Sequence, residues 1–101
     1  MIEIYAYRQG GKCRLCVNGH AEYFPGNDIV CAGVSALVGA LAQYATTHPC
    51  YRQVRTYLQK GDAFFACGEG AADGFDMIVE GLAAIAAAYP DHVRVQRTVT
   101  D

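Results

Sequence analysis

The sequence predicts an α+β fold in the order ββαββαβ, with one mostly antiparallel sheet packed against two helices. Three observations carry that reading. Apolar residues alternate with polar ones near both ends of the chain, at Ile2, Ile4 and Ala6 and again at Val93, Val95 and Val99, which is the period of a half-buried strand. Ile78, Leu82, Ile85 and Tyr89 recur at helical spacing. Between these regions lies a long apolar stretch, Ile29 to Ala45, too long for a strand. A chain of 101 residues has room for one core, so residues 1–101 are expected to form one domain.

The first strand covers the alternation from Ile2 to Tyr7. Gly10-Gly11 supplies the positive φ of a tight turn, and Leu15 and Val17 alternate with Arg14 and Cys16 in the returning strand. Polar and turn-forming residues follow from Glu22 to Asn27. Asp28 can then cap a helix that runs to about Thr47, where His48-Pro49 ends it. That helix is apolar nearly all round and is expected to pack centrally, with Gly33 and Gly39 permitting a close neighbour. Tyr51 to Gln59 is rich in strand formers, Gly61-Asp62 makes a turn, and Ala63 to Cys67 is a short apolar run, so a second hairpin is expected. The loop Gly68 to Ala72 leads to Asp73 and the second helix, which Pro90 stops before the last strand.

Composition excludes several classes. The chain is 52% hydrophobic and 18% charged, which can bury a core and differs from a disordered profile. A formal charge of −2 gives no field toward phosphates or an anionic membrane, so direct nucleic-acid or membrane binding is not expected. Ile29 to Ala45 carries Ser35 and Gln43, includes two glycines and falls short of a spanning helix. Five cysteines is an odd number, and the chain opens Met-Ile-Glu-Ile without a signal-peptide pattern. A reducing cytoplasm is the natural setting.

The chemistry rests on His20, at the end of the second strand, and Cys31, in the first turn of the first helix. With Asp28 as N-cap, Cys31 is the third helical residue, where unpaired amides and the positive helix end favour a thiolate. A histidine alongside can share the proton and later deliver it to a leaving amine, while free amides at the same helix end stabilise an oxyanion. The competing reading is that Cys31 is packing, since cysteine is among the most buried residue types and spacing alone decides little.

The segments Gly19-His20-Ala21 and Asp28-Ile29-Val30-Cys31-Ala32-Gly33-Val34-Ser35-Ala36-Leu37 resemble the bacterial ribosomal-processing cysteine protease family, Prp, and length and element order agree over essentially the whole chain. The resemblance implies that His20 and Cys31 are the catalytic pair. It also implies a homodimer that removes an N-terminal extension from a large-subunit ribosomal protein precursor, cutting after a hydrophobic residue, with no metal or cofactor. Ser35 matches a serine of the family motif and either supports the site or bonds back to its own helix. Asp28 either orients His20 or caps the helix. Glu22, Tyr23, Phe24, Pro25, Gly26 and Asn27 would border the substrate groove, with Gly26 as a hinge or Pro25-Gly26 as an ordinary turn.

Cys13-Arg-Leu-Cys16 has the spacing of a zinc or redox motif, but strand residues three apart point to opposite faces and no second pair completes four ligands. His48 and His92 are assigned structural or solvent roles. Tyr5, Tyr7, Tyr51 and Tyr57 are candidates for a partner surface or for ordinary strand positions. The sequence therefore predicts a homodimeric thiol protease of the cytoplasm. The alternative is a non-catalytic ribosome-assembly or peptide-binding factor. A redox thiol protein ranks last, because no resolving cysteine stands near Cys31.

Overall fold

The structure, a computed structural model, describes residues 1–20, 29–59 and 61–100. Strands β1 (Ile2–Gln9) and β2 (Lys12–Asn18) form the first hairpin across Gly10-Gly11. Helix α1 (Ile29–Thr47) follows, then the hairpin β3 (Arg55–Gln59) and β4 (Asp62–Cys67), helix α2 (Ala72–Ala88) and strand β5 (Val93–Thr100). The expected order ββαββαβ holds.

The strands lie in the order β3-β4-β2-β1-β5. All neighbours are antiparallel except β1 and β5, which are parallel. Since β4 runs with β1, the unit β4-α2-β5 is a parallel crossover, the connection for which a helix is needed. Register places Ile4 opposite Val17, Ala6 opposite Leu15, Leu15 opposite Phe65 and Cys13 opposite Cys67. These residues share one sheet face, and both helices cover it. Val30, Val34, Val38, Leu41 and Ala45 of α1 join Phe75, Ile78, Val79 and Leu82 of α2 in the core. Each large side chain so buried contributes roughly 1.5–3 kcal/mol of transfer free energy. The other sheet face is open. Tyr5 and Tyr57 stand there 42% and 51% exposed, and Arg14 lies over the Tyr7 ring.

Some local expectations are corrected. Helix α1 is not buried all round, because its buried residues form one stripe and Ala32, Ala36 and Ala40 face outward. By length and composition it could cross a membrane, but the stripe is folded into the core. Gly33 does permit close approach, since a Cβ there would lie 3.3 Å from Ile85 Cδ1, whereas Gly39 has nothing within 4 Å. The strand expected from Tyr51 begins only at Arg55. Gln53 has φ +57° and breaks the extended backbone, leaving Arg52 in an isolated bridge to Glu69. Tyr51 leaves the open sheet face altogether and packs with Tyr44 and His48. Helix α2 starts at Ala72, with Ala71 as its N-cap and Asp73 in the first turn, where a carboxylate suits the helix dipole.

Charge anchors α2 to the sheet. Asp76 meets Arg8 at 2.9 Å and Arg97 at 3.7 Å, and Arg97 also reaches Glu80 at 2.6 Å.

Candidate active site

Strand β2 ends at Asn18, and the next two residues turn sharply. Gly19 has φ +100°, and any Cβ there would collide with the Met1 carbonyl oxygen, so the position demands glycine. The Gly19 N–H donates to the Gly61 carbonyl at 2.9 Å, and the His20 carbonyl accepts a hydrogen bond from the Met1 nitrogen at 2.7 Å. The backbone around His20 is thereby pinned to the start of β1 and to the turn between β3 and β4. Its side chain is exposed.

Cys31 is the third residue of α1, half-buried and packed against the core. A first-turn position lies at the positive end of the helix dipole, which favours a thiolate over a thiol. His20 and Cys31 line one cleft of about 400 Å³ between α1 and the β3–β4 hairpin. Ser35, one helical turn after Cys31 and exposed, lines it too. Apolar walls come from Val34 and Val38 on one side and from Leu58 and Ala63 on the other. Leu58 is 50% exposed even though its position in the register puts it on the core-facing side of the sheet, since the open cleft lies over it.

The structure thus brings His20, Cys31 and Ser35 together. Asp28 and the segment 22–27 lie outside the described residues. Sequence reasoning missed the opposite wall, formed by Leu58, Gln59, Gly61, Asp62 and Ala63. The Gly61-Asp62 turn was legible, but only the pairing of Asn18 with Asp62 sets it beside His20.

The other cysteines occupy different environments. Cys13 is buried, and its thiol is pushed up to about 12, first by burial and then by the neighbouring Cys67. It stays protonated and unreactive at neutral pH. Cys67, also buried, donates to the Arg52 and Glu69 carbonyls at 3.3 and 3.1 Å. Cys16 pairs with Tyr5 and Phe64 on the opposite face from Cys13, so the Cys13 and Cys16 thiols do not converge. His48 accepts from the Cys50 N–H at 3.3 Å and packs 4.9 Å from Tyr44, a structural environment.

Residues 1–94 match the family described as "Cysteine protease Prp". No curated protein matches the chain. Among solved structures, the essential ribosomal processing protease Prp from S. aureus, in complex with a covalently linked product peptide, superposes with a TM-score of 0.81 at 22% identity over 96% of this chain and 99% of that one. The same protease with a substrate peptide gives 0.78 at 21% identity over 96% and 99%. SMU.848 from Streptococcus mutans gives 0.72 at 21% identity over 99% and 96%.

Proposed function

The chain belongs to the cysteine protease Prp family and is a cysteine peptidase, and from that membership we propose a ribosomal-protein-processing enzyme with Cys31 as nucleophile and His20 as its general base. The observation that carries the assignment is that one cleft is lined by both side chains, with the cysteine in the first turn of a helix.

The reaction is acyl transfer. The Cys31 thiolate attacks the scissile carbonyl, a C–S bond forms, and the carbonyl oxygen becomes an oxyanion beside the backbone amides of the first turn of α1. The protonated His20 delivers its proton to the amine as the C–N bond breaks, leaving a thioester. His20 then takes a proton from water, the resulting hydroxide attacks the thioester, and the thiolate leaves. One peptide and one water give a carboxylate and an amine. Ser35 lies one turn along the same helix face and supports the site, and no metal or cofactor enters these steps.

The substrate in this reading is the N-terminal extension of a large-subunit ribosomal protein precursor. The apolar walls at Val38 and Leu58 suit a hydrophobic residue next to the cut. The enzyme acts as a homodimer in the cytoplasm, where its thiols stay reduced.

The test is cleavage of the extended precursor by Cys31→Ala. That change removes the sulfur and keeps helix propensity, so the fold and peptide binding are expected to persist while cleavage is lost. Undiminished cleavage would sink the mechanism.

A further inference from the structure

Gly61 occupies the turn between β3 and β4 with φ +79°, and His20 lies directly against it. A Cβ at Gly61 would stand 2.7 Å from His20 Nε2 and 2.8 Å from Cε1, inside van der Waals contact. The imidazole therefore fills the space that any other residue would need for its side chain, and it rests against the bare Cα. The same residue holds the main chain, because the Gly61 carbonyl accepts from the Gly19 N–H at 2.9 Å. Backbone and ring of the histidine segment are thus both referenced to one glycine far away in the chain.

An exposed histidine ordinarily samples several rotamers. A rigid surface against one edge of the ring narrows that choice, and pre-set geometry of the base is what a cysteine–histidine pair needs. We infer that Gly61 is a positioning residue for the His20 imidazole, acting through the absence of a side chain; the inference rests on the reading of His20 as the base of Cys31.

The atoms in the way belong to the far end of a rotatable side chain. An added methyl group can be accommodated by moving the ring, so its effect falls on the site more than on the fold. Gly61 also has a positive φ, which penalises any L-residue whatever the space. Gly10 separates the two causes. It sits in the β1–β2 turn with φ +58° and has nothing within 4 Å of its missing Cβ, so Gly10→Ala carries the backbone penalty without the collision.

The experiment measures alkylation of Cys31 by iodoacetamide as a function of pH in wild type, His20→Ala, Gly61→Ala and Gly10→Ala, with melting temperatures and the imidazole NMR signals of His20 recorded alongside. Gly61→Ala is expected to slow neutral-pH labelling on the order of tenfold, to move the pH profile upward toward that of His20→Ala, and to shift the ring signals. Gly10→Ala is expected to lose a comparable melting temperature and to keep the wild-type profile. Should Gly61→Ala fail to fold, Gly61→Asn tolerates the positive φ yet still carries a Cβ, and it is expected to show the same displaced profile. If His20→Ala changes the profile while both Gly61 variants match wild type, the positioning role is wrong and the catalytic pair stands. If His20→Ala itself leaves the profile unchanged, the pair is wrong and there is no base for Gly61 to position.

Discussion

Asn18 and Asp62 are register partners across β2 and β4, and this pairing sets the β3–β4 turn beside the residue that follows β2 by two positions, His20. The cleft that His20 and Cys31 line is therefore a product of long-range strand pairing. One wall is helical and local to Cys31, and the other arrives from a hairpin much later in the chain. This division shapes what each substitution should do.

Thiol reactivity should separate by environment. At neutral pH and a limiting dose of iodoacetamide, Cys31 is expected to react ahead of Cys13 and Cys67, which are buried, with tryptic mass spectrometry giving the order. Labelling of Cys31 only on unfolding would favour packing over catalysis.

Cys13 also predicts an alkaline limit. Its folded pKa is raised from 9.0 to about 12, chiefly by burial, so above pH 9 the unfolded chain releases a proton that the native chain retains. The stabilisation is complete below about pH 9 and is lost as pH rises toward 12. Denaturant titrations of wild type and Cys13→Ala should show a shallower alkaline decline in the variant. Equal slopes would remove Cys13 as a contributor.

The helix glycines should respond differently to alanine. Gly39→Ala meets empty space in mid-helix and should raise stability by about 0.5–1 kcal/mol in urea unfolding. At Gly81 the new Cβ would sit 3.0 Å from Leu37 Cδ1, so the gain in propensity is offset by crowding between α1 and α2. A larger gain at Gly81 than at Gly39 would contradict this packing.

Ion pairs should rank by enclosure. Asp76→Ala strips a partly buried carboxylate from two arginines and is expected to cost about 1–2 kcal/mol. Glu69→Ala breaks a 3.6 Å pair with Arg52 whose side chains are mostly exposed, and should fall within about 0.5 kcal/mol of wild type. Equal losses would mean that α2 is not held by the Asp76 cluster.

Leu58→Asn tests the apolar wall. Half-exposed on an edge strand, Leu58 contributes little to folding, so the melting temperature should barely move. Cleavage of a precursor with a hydrophobic residue at the cut should fall roughly five- to tenfold in kcat/KM, corresponding to about 1 kcal/mol of lost contact. Unchanged kcat/KM would place the substrate side chain elsewhere.

How far the sequence reached follows from which signals are local. Alternation at Ile2–Ala6 and Val93–Val99 identified strands, and the spacing of Ile78, Leu82 and Ile85 identified α2. The motif residues singled out His20 and Cys31, and the fold sets both along one cleft. The parallel pairing of β5 with β1 and the pairing of β2 with β4 were not legible, because periodicity shows which face a residue takes but not which strand lies beside it. For the same reason α1 looked central. Its outward alanines are apolar like its buried valines, and only the fold shows which stripe meets the sheet. Gly61 was recognised as a turn residue, whereas its contact with His20 depends on tertiary structure alone.

The parallel partnership of β5 with β1 also sets an order of events during synthesis. β1 is made first but lies inside the sheet, and its outer side is closed only by residues 93–100. The Ile2 N–H donates to the His92 carbonyl, while the Met1 nitrogen bonds to His20. The segment bearing His20 is therefore tied to a strand that cannot complete its own pairing until β5 has left the ribosomal tunnel. Closing so wide a loop makes this a late and comparatively slow step. Proteolytic competence is accordingly expected to emerge only after β5 has been made and has paired with β1.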